Sequence, residues 1–108
     1  MPKESDWKLF RKRLPEWQER HMQVLLDEYA KIIDSSELAS TRFWKLDKRL
    51  RKDVRHVGVC ADMRRSTMFI NLTRLLDENA ITLEDLDGFS EDLKQRVSIT
   101  YNGCTNDA

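Results

Sequence analysis

Apolar residues along this chain recur at intervals of three and four rather than two, which is the spacing of helix faces. The first run, Trp7, Leu9, Phe10 and Leu14, predicts a short helix behind Ser5 as N-cap. Asp6 then falls in its first turn, where a carboxylate complements the exposed amides. Pro15 is expected to end this helix, because its ring disfavours helical geometry in the residue before it. It is also expected to open the next helix, at a position where a missing N–H costs nothing. That second helix, predicted from about Pro15 to Asp34, spreads Trp17, His21, Met22, Val24, Leu25, Leu26, Tyr29, Ile32 and Ile33 over a wide arc. An arc of that width belongs to a core helix with more than one neighbour.

Asp34-Ser35-Ser36 punctuates the pattern, and Ser36 or Ser40 is placed to cap a third helix, about Thr41 to Arg55. Its apolar seam is narrow: Phe43, Leu46, Leu50 and Val54. The rest is polar and mainly basic, as on a surface helix. Trp44 is the exception, lying ~100° from Phe43 on the flank where Lys48, Arg51 and Arg55 project. His56-Val57-Gly58 marks a break, with Gly58 able to take a positive φ. A fourth helix, about Val59 to Glu78, is apolar on two sides and is the expected hub. One side carries Val59, Met63, Thr67 and Ile70, the other Met68, Phe69, Leu72, Leu75 and Leu76.

Beyond Asn79-Ala80, Thr82 and Asp85 form a capping-box pattern, with Leu83 and Leu86 facing inward. Gly88 stops that turn, and Ser90 is placed to cap a last helix with Leu93 and Val97. Residues 97–101 alternate and could form a strand. No second strand-like segment exists to pair with them, so they are assigned to the helix end, and 102–108 to a disordered tail. The expected fold is all-α: one domain over residues 1–101, a compact bundle of five or six helices. Helices two and four are central and the basic helix three lies outside.

Composition narrows the class. The chain has 108 residues, 40% hydrophobic and 35% charged, which fits one domain with a thin core. The longest uninterrupted apolar run, Val57–Ala61, is far short of the ~20 residues that cross a bilayer, and the first residues carry no secretory h-region. The expectation is a cytoplasmic protein with no membrane contact. Charge is balanced overall but not along the chain. Residues 42–65 carry nine basic and three acidic side chains, whereas 77–108 carry eight acidic and two basic. Either the basic helix offers a face to a polyanion or acidic partner, or it lies against the acidic C-terminal region and is neutralised there.

No pattern points to catalysis. Aligning the 77–85 stretch with a calcium loop puts Arg74 and Leu76 at ligand positions and Asn79 where glycine belongs. His21 and His56 have no metal-ligand partners at tetrahedral spacing, and Cys60 and Cys104 have none either. His21, inside the apolar arc, is expected beside the core. There is no nucleophile elbow and no phosphate-cradling glycine loop. The expectation is a non-enzyme without metal or cofactor. The strongest functional candidates are Trp44, Lys48, Arg51 and Arg55, with Lys45, Arg49 and Lys52 nearby, a basic helix carrying an aromatic.

Five segments also carry a family resemblance: Ser5–Phe10, Trp17–Glu19, Phe43–Arg49, Met63–Ser66 and Ile81–Leu86. Together they resemble a family of short all-α bacterial proteins of uncharacterised function and about this length, some labelled "multidrug transporter". A chain with no membrane span makes that label physically implausible, and the resemblance carries over no functional residue. The function expected from the residues is an interaction or regulatory protein that binds another protein. The alternative is a nucleic-acid-binding accessory protein using helix 42–55. The surplus of apolar surface for so short a chain further predicts a homodimer.

Overall fold

A computed structural model describes residues 3–106, with side chains through residue 99, and these residues form four α-helices. They are α1 (Glu4–Ile33), α2 (Ala39–Asp53), α3 (Met68–Asp77) and α4 (Glu91–Asn106), with single 3-10 turns at Arg65–Thr67 and Leu83–Leu86. The all-α class holds and no strand occurs among the described residues, but the helices number four, not five or six. The segment 97–101 is helical. The expected tail at 102–108 falls partly on the end of α4 and partly outside the described residues.

Two expected helices are one. Pro15 lies inside the 30-residue α1 and does not end it. A proline in a helix interior costs about 3 kcal/mol, chiefly by removing one hydrogen bond. Here Pro15 is exposed, so the carbonyl it leaves unpaired faces water. Trp7, Phe10, Leu14 and Trp17, on both sides of it, all bury on the opposite face. Each such burial is worth roughly 2–3 kcal/mol, and the stripe wins. Ser5 is not the cap: α1 starts at Glu4, one residue earlier, with Lys3 at the N-cap and no side-chain cap bond. Asp6 instead serves another helix. Its carboxylate accepts from the Ser90 backbone N–H (2.8 Å) and hydroxyl (2.6 Å) while Ser90 Oγ caps the Leu93 amide, so one buried acid ties the start of α1 to that of α4.

The expected fourth helix is half as long. Only Met68–Asp77 is α-helical, and 54–67 is a run of turns held by side chains. The Asn71 amide donates to the Asp62 carbonyl, and Thr67 Oγ donates to the Asp62 and Arg64 carbonyls. The Glu78 carboxylate takes the Val57 and Gly58 amides at 3.1 and 3.2 Å. Such bonds compete with helix hydrogen bonds and here replace them. Gly58 does not use a positive φ. It is small because the buried His21 ring lies against it, where a Cβ would overlap the imidazole. The positive φ values belong to Asn79, which closes α3, and to Gly88 before α4. The Thr82–Asp85 capping box forms as expected.

The core sits at one end of the molecule. Trp7, Phe10, Leu14 and Trp17 of α1 meet Met68, Leu72, Leu75 and Leu76 of α3, and Leu93 and Val97 of α4, with Leu86 and Phe89 closing below. Trp7, Phe10, Trp17 and Phe89 run as a chain of ring contacts 6.1–6.4 Å apart. The residues of the expected short first helix are therefore central, together with α3. The far half of the expected second helix leaves the core altogether. It turns at residues 34–38 and returns as α2, so the two make an antiparallel arm. The radius of gyration, 16.2 Å, exceeds the ~13 Å of a globular chain this long, and the long dimension of 51 Å is little more than the length of α1. The basic helix lies outside the core, as expected.

Candidate docking surface on the helical arm

The seam between α1 and α2 is largely polar. On α2 its inward residues are Arg42, Arg49 and Asp53, with Leu46 between them. Asp53 is almost fully buried, accepting from the Tyr29 hydroxyl at 2.6 Å and from Arg49 Nε at 2.9 Å. Arg49 also donates to Glu28 at 2.6 Å and stands 5.9 Å from the Tyr29 ring centroid. Burial and the Asp53 carboxylate push the Tyr29 phenol up to about 12. Arg42 closes the tip by donating to the Ile33 carbonyl at the end of α1 at 2.6 Å and to the Glu37 carbonyl of the connection at 3.0 Å. Neither Ser36 nor Ser40 caps α2, which begins at Ala39 behind Leu38.

With polar groups turned inward, the apolar stripe of α2 faces out. At ~100° per residue, Phe43, Leu50 and Val54 lie within ~40° of one another, a quarter-turn from Arg49 and Asp53. They were expected to pack inward, yet all three are exposed, Phe43 by 64%. On α1, Met22, Leu26 and Ile33 form a second stripe beside the seam, Leu26 57% and Ile33 50% exposed. Because the helices are antiparallel, both stripes come to the same side of the arm. The result is one apolar face ~16 Å long, contributed by two helices and left exposed among the described residues.

The seven basic-helix candidates divide. Trp44, Lys48, Arg51 and Arg55 share the outer flank of α2, opposite α1. Trp44 is 63% exposed, its ring edge against Phe43 at 5.1 Å. Arg51 pairs with Asp47 at 3.1 Å in the same helix, and Lys45 pairs with Glu37 at 2.6 Å. Lys48, Lys52 and Arg55 are exposed and form no ion pair among the described residues. Arg49 is half-buried and spent on Asp53 and Glu28. Among the described residues, no acidic side chain of the C-terminal region pairs with this helix. Asp85 is held by Arg20 at 2.8 Å, Asp92 by Lys3 at 3.6 Å, and Glu78 by the 57–58 amides. Burial alone would raise the Asp85 carboxyl. The Arg20 guanidinium and the Thr82 amide outweigh it and hold the group below its usual range.

Two hollows flank these elements. A groove of about 630 Å³ at the far end is bordered by Lys3, Asp6, Arg65, Asp92 and Arg96. Asp6 is committed to Ser90, and Lys3 and Arg65 to Asp92 and Glu4. A cavity of about 340 Å³ at the root of the arm, on the side away from the apolar face, is lined by His21, Lys52, His56 and Glu78 among others. His21 Nε2 and His56 Nδ1 are buried there without hydrogen-bond partners, their ring centroids 6.4 Å apart. Among the described residues no three His, Cys, Asp or Glu side chains are grouped to hold a metal ion. No helix among them is long and apolar enough to cross a membrane. No known protein family, no characterised protein and no solved structure matches this chain.

Proposed function

We propose that this chain is a small cytoplasmic interaction or regulatory protein that acts by protein–protein binding, with the arm as its binding part. One observation carries the reading. The arm holds itself together with Tyr29, Arg49 and Asp53 and leaves Leu26, Ile33, Phe43 and Leu50 in water. A helix normally turns its apolar side to its own neighbour, and a contiguous exposed stripe is characteristic of interaction sites. The exposed aromatics Phe43 and Trp44 are the residue type that anchors interfaces.

A second reading rests on the outer flank. Trp44 with Lys48, Arg51 and Arg55 is a basic strip with an aromatic on which a base can stack, the arrangement of a nucleic-acid contact. The two readings separate in a pull-down of the tagged protein from host lysate, with and without nuclease, run beside Leu50→Asp and a Lys48→Glu/Arg55→Glu variant. Protein docking predicts one specific partner that survives nuclease and is lost with Leu50→Asp. Enrichment that vanishes with nuclease, falls steeply with salt and is lost with the charge reversals would replace it by nucleic-acid binding.

A further inference from the structure

We infer that the occupant of the arm's apolar face is a second copy of this chain, the two arms closing into an antiparallel four-helix bundle. The inference rests on the protein-docking reading and names the partner. The face is built as half of such a bundle. Two antiparallel helices each present one stripe, Met22, Leu26 and Ile33 on one and Phe43, Leu50 and Val54 on the other, matched in length at ~16 Å. A single docked helix from another protein would cover one groove between the stripes, whereas a second two-helix face covers both.

Area and charge agree. The exposed parts of these side chains amount to roughly 500 Å² per protomer, so with the rim residues a twofold contact reaches the ~1,200 Å² at which specific interfaces begin. The edges of the face carry opposite signs. By helix position, Glu19, Asp27 and Asp34 line the outer edge of α1, and Lys48, Arg55 and Arg51, the last already paired with Asp47 of its own helix, line that of α2. Laying α1 of one copy across α2 of the other sets acidic edge against basic edge on both sides of the contact. A twofold operation produces that self-complementarity from one hairpin. Stacking α1 on α1 would instead oppose like charges.

The test is the mass of the full chain by light scattering after gel filtration, from 1 to 100 µM, for the wild type, Phe43→Asp/Leu50→Asp and Leu26→Asp. All three positions are exposed, and circular dichroism checks that the helices persist. The expected wild-type mass climbs from the 12.8 kDa protomer towards twice that value across this range, with each variant monomeric throughout, a weakening of at least about a hundredfold. A dimer untouched by both variants overturns the inference, because the copies then meet elsewhere. A monomeric wild type overturns it too. If that monomer still captures a nuclease-resistant partner sensitive to Leu50→Asp, the docking reading stands without self-association. If it captures none, both fail.

Discussion

The two halves of α1 meet opposite fates. Over Trp7–Trp17 its stripe is sealed by α3, α4 and the 83–89 segment, and Phe10 has no exposure at all. Over Met22–Ile33 the same helix has one companion, α2, which offers it the Arg49–Asp53 ion pair, hydrogen-bonded by the Tyr29 hydroxyl of α1, instead of an apolar face. One end is stabilised by burial, which is indifferent to direction and sums over many contacts. The other is stabilised by a few directional bonds around Asp53, each of which matters individually. The contrast teaches that an amphipathic stripe states how much surface must be covered, not which element covers it. At the core end the covering is intramolecular. On the arm the stripe stays exposed.

The largest effect that would sharpen this contrast is Leu72→Ala, at a fully buried core position. It should cost about 3–4 kcal/mol in urea unfolding, since the cavity adds to the lost transfer energy. A loss under 1 kcal/mol would mean the core end is not packed as described. Next is Asp53→Ala, which strands Arg49 and the Tyr29 hydroxyl. A loss of about 2–3 kcal/mol is expected, with hydrogen exchange accelerating in α2 and the end of α1 while α3 stays protected. Uniform acceleration would dissolve the distinction between the two ends.

The third effect depends on pH. The Tyr29 phenol is raised from 10 to about 12. The folded state therefore keeps its proton when the unfolded chain has begun to lose it. The contribution is complete below pH 10 and disappears as pH rises towards 12, a loss of about 2 kcal/mol. Tyr29→Phe should flatten that part of the stability–pH curve, and an unchanged slope would remove Tyr29 from the arm's support. The smallest effect is Phe43→Ala, expected to change monomer stability by less than about 0.5 kcal/mol when measured in dilute solution. A cost of 2 kcal/mol would show that the ring packs within its own chain.

Much of this was legible in the sequence. The 3–4 spacing carries the helical class and Thr82 and Asp85 the capping box, whereas the candidate surface of Trp44, Lys48, Arg51 and Arg55 lies on the outer flank beside the exposed apolar face and not on it. What was not legible depended on long-range partners. Pro15 reads as a stop until the core binding both of its sides is counted. Val59–Thr67 reads as helix until Asn71 and Thr67 claim its carbonyls and Glu78 the two amides just before it, those of Val57 and Gly58. The seam of Phe43, Leu50 and Val54 was recognised but turned the wrong way. Nothing local signals that Arg49 and Asp53 face inward, because their partners Glu28 and Tyr29 lie more than twenty residues upstream.

The most direct test follows methyl resonances of the full chain as concentration rises from 10 to 500 µM. The account predicts that the methyls of Leu26, Ile33, Leu50 and Val54 shift together on one binding curve while those of Leu72, Leu75 and Val97 stay fixed. Arm methyls that hold still across that range, or shifts confined to the core end, would contradict it.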